Sequence, residues 1–250
     1  MEAFKAAFIN EIDKMYRKKK AIVVVAISII SIIMGQLLVL GVRKGFGIRT
    51  VSGTDFPILV LSVFVDTILP LFTTLIVIDI FSGEFNQNTM KIALLRPVTR
   101  LKIFAAKICT TGFFVLANLL AVMILSTLSG ILFNSASITV TGIYRVFISY
   151  LVTFLPIMVF ALIIVFLSNV LRGSTAVFFV TIIVYIAFKG SAFVFPKYSS
   201  MFVTSMFNWY ELWIADTLPL LKIGREFLIM LGCAIMFFTA GYYLFDKKDL

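Results

Sequence analysis

The chain contains 250 residues, of which 61% are hydrophobic and only 14% are charged. Because so few charged side chains cannot cover the surface of a water-soluble domain of this size, the composition excludes a soluble protein and indicates a membrane protein. The formal net charge is +10 at pH 7. The basic residues cluster at the ends of apolar segments without interleaved aromatic residues, which favours contact with anionic lipids over nucleic-acid binding.

Residues 1–20 are predicted to form an amphipathic helix at the membrane surface. One helical face carries apolar side chains, and it comprises Phe4, Phe8, Ile12 and Met15 or Tyr16. Polar and charged side chains occupy the other faces, and four consecutive basic residues follow at 17–20. This pattern is typical of an interfacial helix. The alternative is a basic anchor that only precedes the first membrane span.

Six apolar runs reach or approach the roughly 20 residues that a helix needs to cross a bilayer. They are Ala21 to Val42, Phe56 to Phe81, Ile108 to Phe133, Val146 to Leu171, Ser174 to Pro196 and Phe227 to Phe245. The pattern predicts an all-α integral membrane protein with six transmembrane helices. Residues 1–250 are therefore expected to form a single transmembrane domain.

The distribution of Lys and Arg predicts the orientation, because cytoplasmic segments of membrane proteins are enriched in these residues. If the N-terminus lies in the cytoplasm, fourteen Lys and Arg residues fall on the cytoplasmic side and eight on the outer side. Both termini and residues 82–100 are therefore expected in the cytoplasm. Residues 190–226 are expected on the outer side of a plasma membrane.

The second run carries Asp66 near its middle, where a charged group costs about 2.5 to 3.5 kcal/mol to insert. Ser62, Asp66 and Thr73 share one helical face. Pro70 has no N–H and leaves the Asp66 carbonyl free, at a point where a kink is expected. This face is a candidate wall of a translocation path, or a hinge. The alternative is an interhelical hydrogen bond that only holds helices together.

Two pairs of small residues predict close helix contacts. Ser31 and Gly35 lie in the first run, and Ser126 and Gly130 lie in the third. Small residues at this spacing let two helix backbones approach closely inside a membrane. The sequence does not name the partner helices.

Residues 190–226 form an unusually apolar outer loop. Its aromatic residues are Phe193, Phe195, Tyr198, Phe202, Phe207, Trp209, Tyr210 and Trp213. Such a loop is expected to enter the membrane interface as one or two short re-entrant helices, with Trp and Tyr at the depth of the headgroups. Tyr185 and Lys189 precede it, and they either help to shape an exit or, for Lys189, extend to the interface.

The sequence offers no catalytic machinery. It contains no His, which removes the usual general base and the commonest metal ligand. It also lacks a metal-ligand cluster and a phosphate-binding GxxxxGK[ST] loop. No catalytic, cofactor-binding or metal residue is therefore predicted, and any ATP-driven action requires a motor on another chain.

Residues 82–100 are a polar segment between two apolar runs. Within it, a helix is predicted from Glu84 to Leu95, because Arg96 precedes Pro97 and is disfavoured in helical geometry. Phe85, Thr89, Ile92 and Leu95 recur at helical spacing and form one apolar face. This helix is suited to dock against another protein.

The segment resembles the cytoplasmic loop of type-2 ABC exporter permeases. The resemblance rests on Gly83 to Phe85, Thr89, Leu94 to Arg100 and Lys107, and it extends in layout to the whole chain. Asn88 stands where that family commonly has glycine, and Thr99 replaces a serine. The family layout also includes an N-terminal amphipathic helix, six spans and a hydrophobic outer loop before the sixth.

The resemblance implies a permease subunit of an ATP-driven exporter. A second permease chain, identical or homologous, and a cytosolic ATPase that binds ATP and magnesium would be its partners. The residues implied to couple to the ATPase are Glu84, Phe85, Asn88, Thr89, Ile92, Leu95 and Arg96. Short chains of this style resemble bacterial lantibiotic-immunity, bacitracin-type and phenol-soluble modulin exporters, which implies an amphipathic or antimicrobial peptide, or another hydrophobic cargo.

Two other functions compete with this interpretation. The first is an ion-coupled secondary carrier that uses Asp66 as a proton or sodium site. The chain shows no paired inverted hydropathy repeat, which argues against such a carrier. The second is a membrane scaffold or sensor that transports nothing.

Overall fold

The computed structural model describes residues 2–17, 20–46, 52–83, 99–133, 139–171, 173–195 and 201–247. Every regular element in these ranges is helical. The longest helices are apolar around much of their circumference, as expected where lipid or other helices cover every side. The all-α prediction is therefore confirmed for the described part of the chain.

Helices make up most of the described chain. In chain order they are α1 (Glu2–Arg17), α2 (Lys20–Phe46), α3 (Asp55–Val63), a π-helical turn (Phe64–Ile68), α4 (Leu69–Ile80), α5 (Arg100–Phe133), α6 (Val140–Val170), α7 (Ser174–Val194), a 3₁₀ helix (Val203–Trp209), α8 (Tyr210–Ile214) and α9 (Leu220–Asp246). We call the end of the bundle where α4 ends and α5 begins the basal end. The distal end is where α3 and α6 begin.

Five stretches of the described chain are long and apolar enough to cross a membrane. They are Asp55–Ile80, Arg100–Phe133, Val140–Val170, Ser174–Ala192 and Leu220–Asp246. Each contains most of one predicted run. Helices α5 and α9 begin several residues before the corresponding predicted apolar runs, because their first turns contain polar residues that do not belong to an apolar run. The described apolar part of α2, Ala26–Leu37, is shorter than these five.

Helix α6 is the centre of the bundle. It packs against α9, α5, α4, the 3₁₀ helix and α8. Its side chains from Val159 to Val165 are buried on consecutive positions, so no face of this part is left for solvent or lipid. A helix that is apolar all round is expected in such a central position.

The apolar loop before α9 folds onto the bundle. The 3₁₀ helix and α8 bury Val203, Met206, Phe207, Trp209 and Tyr210, each with at most 5% of its surface exposed. These short helices contact α6, and the 3₁₀ helix also contacts α7. Two short helices thus lie within the predicted outer loop, 190–226, and their entry into the membrane interface stays a prediction. Their aromatic composition follows from burial within the chain's own helices.

The small residues predicted to allow close packing have identifiable neighbours. A Cβ atom at Gly130 would overlap the carbonyl oxygen of Gly53. One turn earlier, the Ser126 hydroxyl lies 3.1 Å from the Tyr150 hydroxyl, which donates to the Pro57 carbonyl at 2.9 Å. Close packing at the distal end therefore joins α5 and α6 to the beginning of α3.

We expect substitution of these glycines to destabilise the distal end. A Cβ at Gly142 would lie 2.6 Å from Cβ of Thr54, so Gly142→Ala and Gly130→Ala are both expected to cost about 1 to 3 kcal/mol. A Cβ at Gly232 would have no neighbouring atom within 4 Å, so Gly232→Ala is the matched control. Its expected effect is a gain of roughly 0.5 to 1 kcal/mol from helix propensity alone.

Thermal unfolding of the purified variants in the same detergent measures these effects. Equal midpoints for all three variants would show that the distal glycines do not determine this packing.

Candidate functional site

The basal end contains a cluster of large buried side chains where three helices meet. Phe81 and Phe104 are fully buried, and Phe245 is 3% exposed. The ring centroids of Phe81 and Phe104 are 5.7 Å apart, and those of Phe104 and Phe245 are 5.3 Å apart. With Ile80 and Lys107, these residues form what we call the basal cluster. It joins the end of α4 to α5 and α9.

Lys107 is the charged residue of the basal cluster, and none of its side chain is exposed. Its Nζ donates to the Ile80 carbonyl at 2.9 Å and to Oε2 of Glu11 at 3.1 Å. The Nζ also lies 5.9 Å from the centroid of the Phe81 ring. A buried ammonium is stable only when such partners replace its water shell. Lys107 therefore ties α5 to both α4 and α1.

Glu11 brings the N-terminal helix to this cluster. Only 8% of its side chain is exposed, and Lys14 donates to its other carboxylate oxygen at 2.9 Å. On the same face, Met15 is buried and the Phe8 ring meets the Phe113 ring edge to face at 6.5 Å. Helix α1 thus packs along α5 by its apolar face, and Glu11 lies within that face.

Glu11 is not among the site residues predicted from the sequence. It follows Phe8 by three residues and precedes Met15 by four, so helical spacing already places an acid on the apolar face. A second signal is the basic residue at 107, which lies beside an apolar run. An acid and a base at such positions indicate a buried pair.

Further bonds join the neighbouring backbone to α6 and α9. The hydroxyls of Ser82 and Ser168 are 2.6 Å apart, and both side chains are buried. Arg100 donates to the Asp246 carbonyl, and Asn169 donates to the Gly241 carbonyl at 3.3 Å. Both ends of the segment 84–98 are therefore attached to the same group of helices.

The predicted coupling residues themselves lie outside the described residues. They are Glu84, Phe85, Asn88, Thr89, Ile92, Leu95 and Arg96. The structure therefore describes what the predicted coupling segment is attached to.

A second group of polar contacts lies near the middle of the helical stretch from Asp55 to Ile80. Lys189 Nζ is 2.6 Å from Oδ1 of Asp66, and Tyr185 donates its hydroxyl to the Asp66 carbonyl at 2.5 Å. That carbonyl is the one that Pro70 cannot satisfy, as the sequence analysis noted. A π-helical turn, Phe64–Ile68, surrounds it. Lys189 thus forms an interhelical ion pair with Asp66.

The other predicted path residues lie above and below this pair. Thr73 is fully buried in α4, and its hydroxyl has no hydrogen-bond partner in the part of the chain that the structure describes. Ser62 donates to the Leu59 carbonyl at 2.8 Å and lines a cavity at the distal end. The structure thus separates the three residues by depth, with Asp66 paired to α7 between them.

The described residues contain no group of three or more His, Cys, Asp or Glu side chains that could hold a metal ion.

Residues 7–190 match the family described as ABC-2 family transporter protein. The chain belongs to this family. Two proteins of Bacillus subtilis (strain 168) are similar to it. The uncharacterized protein YhcI is 28% identical over 200 residues, which cover 72% of this chain and 64% of YhcI. The uncharacterized membrane protein YdbK is 26% identical over 196 residues, which cover 73% of this chain and 78% of YdbK.

The family is one of transporter proteins, which agrees with the long apolar helices of the described chain. The chain spans less than two thirds of the length of YhcI. The resemblance noted in residues 83–107 is therefore confirmed at the level of the family. The ion-coupled carrier is not favoured by this match.

We expect Glu11→Gln to destabilise the basal end. The substitution removes the Glu11 carboxylate from the buried Lys107 ammonium, and weakening a buried ion pair in this way costs up to roughly 3 to 5 kcal/mol. The double variant Glu11→Leu with Lys107→Met removes both charges and is expected to recover much of this loss. Thermal unfolding measures both, with Asp13→Asn on an exposed face of α1 as control. An effect of Glu11→Gln no larger than that of Asp13→Asn would contradict the assignment.

We also expect Asp66 and Lys189 to be energetically coupled. A double-mutant cycle with Asp66→Asn and Lys189→Gln is expected to give about 1 kcal/mol, since a third of each side chain is exposed. The matched control is the exposed pair of Arg145 and Asp216, whose cycle is expected to give coupling close to zero. Strictly additive effects at Asp66 and Lys189 would show that their contact contributes nothing to stability.

Proposed function

We propose that this chain is the permease subunit of an ATP-driven exporter for amphipathic or antimicrobial peptides or another hydrophobic cargo. The family match supports the transport role, and the residues 84–96 are proposed to dock into a separate cytosolic ATPase subunit that binds ATP and magnesium. The observation that carries the coupling role is the attachment of both ends of this segment to the basal cluster and its neighbours.

The basal contacts explain how a push on the segment would reach the membrane helices. Ile80 and Phe81 end α4 immediately before the segment, and Lys107 holds them to α5 and, through Glu11, to α1. The closely packed side chains of the cluster have little room to deform separately. Motion of the segment is therefore transmitted to α1, α4 and α5 together.

The orientation follows from charge and supports a cytoplasmic basal end. The excess of Lys and Arg in the N-terminal, 82–107 and C-terminal segments favours that side. In this orientation α2 supplies a sixth span, and the 3₁₀ helix and α8 form the re-entrant outer element. We propose a bacterial plasma membrane as the location, with both termini in the cytoplasm.

A second permease chain, identical or homologous, is proposed to complete the path. Helices α7 and α9 expose apolar side chains such as Phe179, Ile183, Leu228 and Ile235, which either lipid or a second chain can cover. Ser62, Asp66 and Thr73 are proposed to follow the translocation path. The π-helical turn and Pro70 make this part of the helix the place where it can bend.

We expect the coupling residues to affect transport and not membrane insertion. Glu84→Ala and Phe85→Ala are each expected to lower transport-coupled ATP hydrolysis by about tenfold, as loss of roughly 1.4 kcal/mol of docking energy implies. Met90→Ala is the matched control, because on the predicted helix Met90 lies at least about 120° away from both Glu84 and Phe85. The measurement is ATP hydrolysis by the chain reconstituted with the ABC ATPase that co-purifies with it.

Unchanged hydrolysis in both variants would contradict the proposal, as would failure to recover any ATPase with the chain. Transport that proceeds without an ATPase and is abolished by Asp66→Asn would instead establish the ion-coupled carrier.

A further inference from the structure

The distal end of the bundle contains a cavity of about 680 Å³ between α3, the beginning of α6 and α8. Its wall has an apolar part that includes Ile58, Leu59 and Ile214. Its charged lining residues are Asp55, Arg145 and Glu211. The volume lies within the range of about 300 to 1,000 Å³ that is typical of small-molecule sites.

The charges on this cavity favour a cation. Asp55 accepts a hydrogen bond from the Ser52 hydroxyl at 2.5 Å, and this neutral donor does not offset the carboxylate charge. Arg145 is also charged, and its Nη2 lies 2.8 Å from Oδ1 of the exposed Asp216. Among the lining residues that the structure describes, two carboxylates, Asp55 and Glu211, thus stand against one guanidinium, and the carboxylates set the sign of the field.

Tyr210 supplies a second observation at the inner wall of the cavity. It is 1% exposed. Its pKa is raised by burial first and then by the carboxylates of Glu211 and Asp66, against the opposing effect of the hydrogen bond with Ser62. The same carboxylates that disfavour a phenolate anion favour a cation placed beside it.

We propose that the cavity binds a cationic group carried on an apolar body, such as the Lys or Arg side chain of an amphipathic peptide. The carboxylates of Asp55 and Glu211 contact the cationic group, and Leu59 and Ile214 contact the apolar part of the ligand. An anionic ligand would face two carboxylates and only one guanidinium, that of Arg145. The statement that this ligand is the exported cargo rests on the proposed function. The binding of a cationic group in the cavity does not depend on that function.

One helical face connects the cavity to the ion pair of Asp66 and Lys189, and we infer that the ligand follows this face. Asp55, Leu59, Ser62 and Asp66 follow one another at helical spacing along one face of α3 and the π-helical turn. Ser62 lines the cavity, and Asp66 lies one turn deeper. A cation bound beside Ser62 would therefore lie about one helical turn from Asp66, which pairs with Lys189.

The test uses the full-length chain in phosphatidylcholine nanodiscs, without ATPase or nucleotide. The probes are acetyl-Leu-Lys-Leu-amide and its matched anionic peptide acetyl-Leu-Glu-Leu-amide, titrated by calorimetry. The cationic peptide is expected to bind and the anionic peptide is not. Empty nanodiscs of the same lipid measure any partition into the bilayer.

Substitutions then locate the site. Glu211→Gln is expected to weaken binding of the cationic peptide by about threefold, and Glu211→Gln with Asp55→Asn by about tenfold. Arg145→Gln frees Asp216 and is expected to strengthen binding by about threefold. Asp13→Asn, at the opposite end of the bundle, is the control with unchanged affinity. Because Asp55 also begins α3, the single variant Glu211→Gln keeps the test valid if the double variant folds poorly.

Equal affinity for both peptides, or unchanged affinity in Glu211→Gln, would overturn the proposal. Since the assay contains no ATPase, such a result leaves the exporter proposal intact. Conversely, cationic-peptide binding that responds to these substitutions supports the cavity even if no ATPase is found to associate with the chain.

Discussion

The buried contact between Lys107 and Glu11 is the interaction on which the basal end of this protein depends. A charged amine without exposed surface is tolerated because Glu11, the Ile80 carbonyl and the Phe81 ring surround it. The contact joins three helices that are distant in sequence. It therefore turns the amphipathic helix α1 from a separate surface element into part of the same packed unit as α4 and α5.

Two polar contacts join α7 to the middle of the helical stretch from Asp55 to Ile80, and one of them follows from the missing N–H of Pro70. The free carbonyl of Asp66 needs a donor inside the bundle, and Tyr185 supplies it from α7, while Lys189 from the same helix neutralises the Asp66 carboxylate. A helix that is weakened by proline and a π-helical turn is thus supported from the side. These contacts cross between two helices, so the helix can bend only if α7 moves with it or the contacts separate.

The distal end is organised by close approach and by charge. The glycines at 130 and 142 allow α5 and α6 to meet the residues just before α3, and the Tyr150 hydroxyl bonds the Pro57 carbonyl across this junction. The same junction leaves a cavity with two carboxylates on its wall. The basal and distal ends are linked by the helix from Asp55 to Ile80, about 39 Å long at 1.5 Å per residue. Asp66 lies between the two ends.

The sequence by itself determined the helical class, most boundaries of the spans, the family and the need of Asp66 for a partner, because apolar length, short motifs and the energetic cost of a buried charge are local properties. The tertiary structure decided which residues meet. Glu11 with Lys107, Lys189 with Asp66, and Gly130 with Gly53 are separated by many residues, and their pairing depends on how the helices rotate and cross. Helical periodicity places a side chain on a face, but only packing in three dimensions determines what that face contacts.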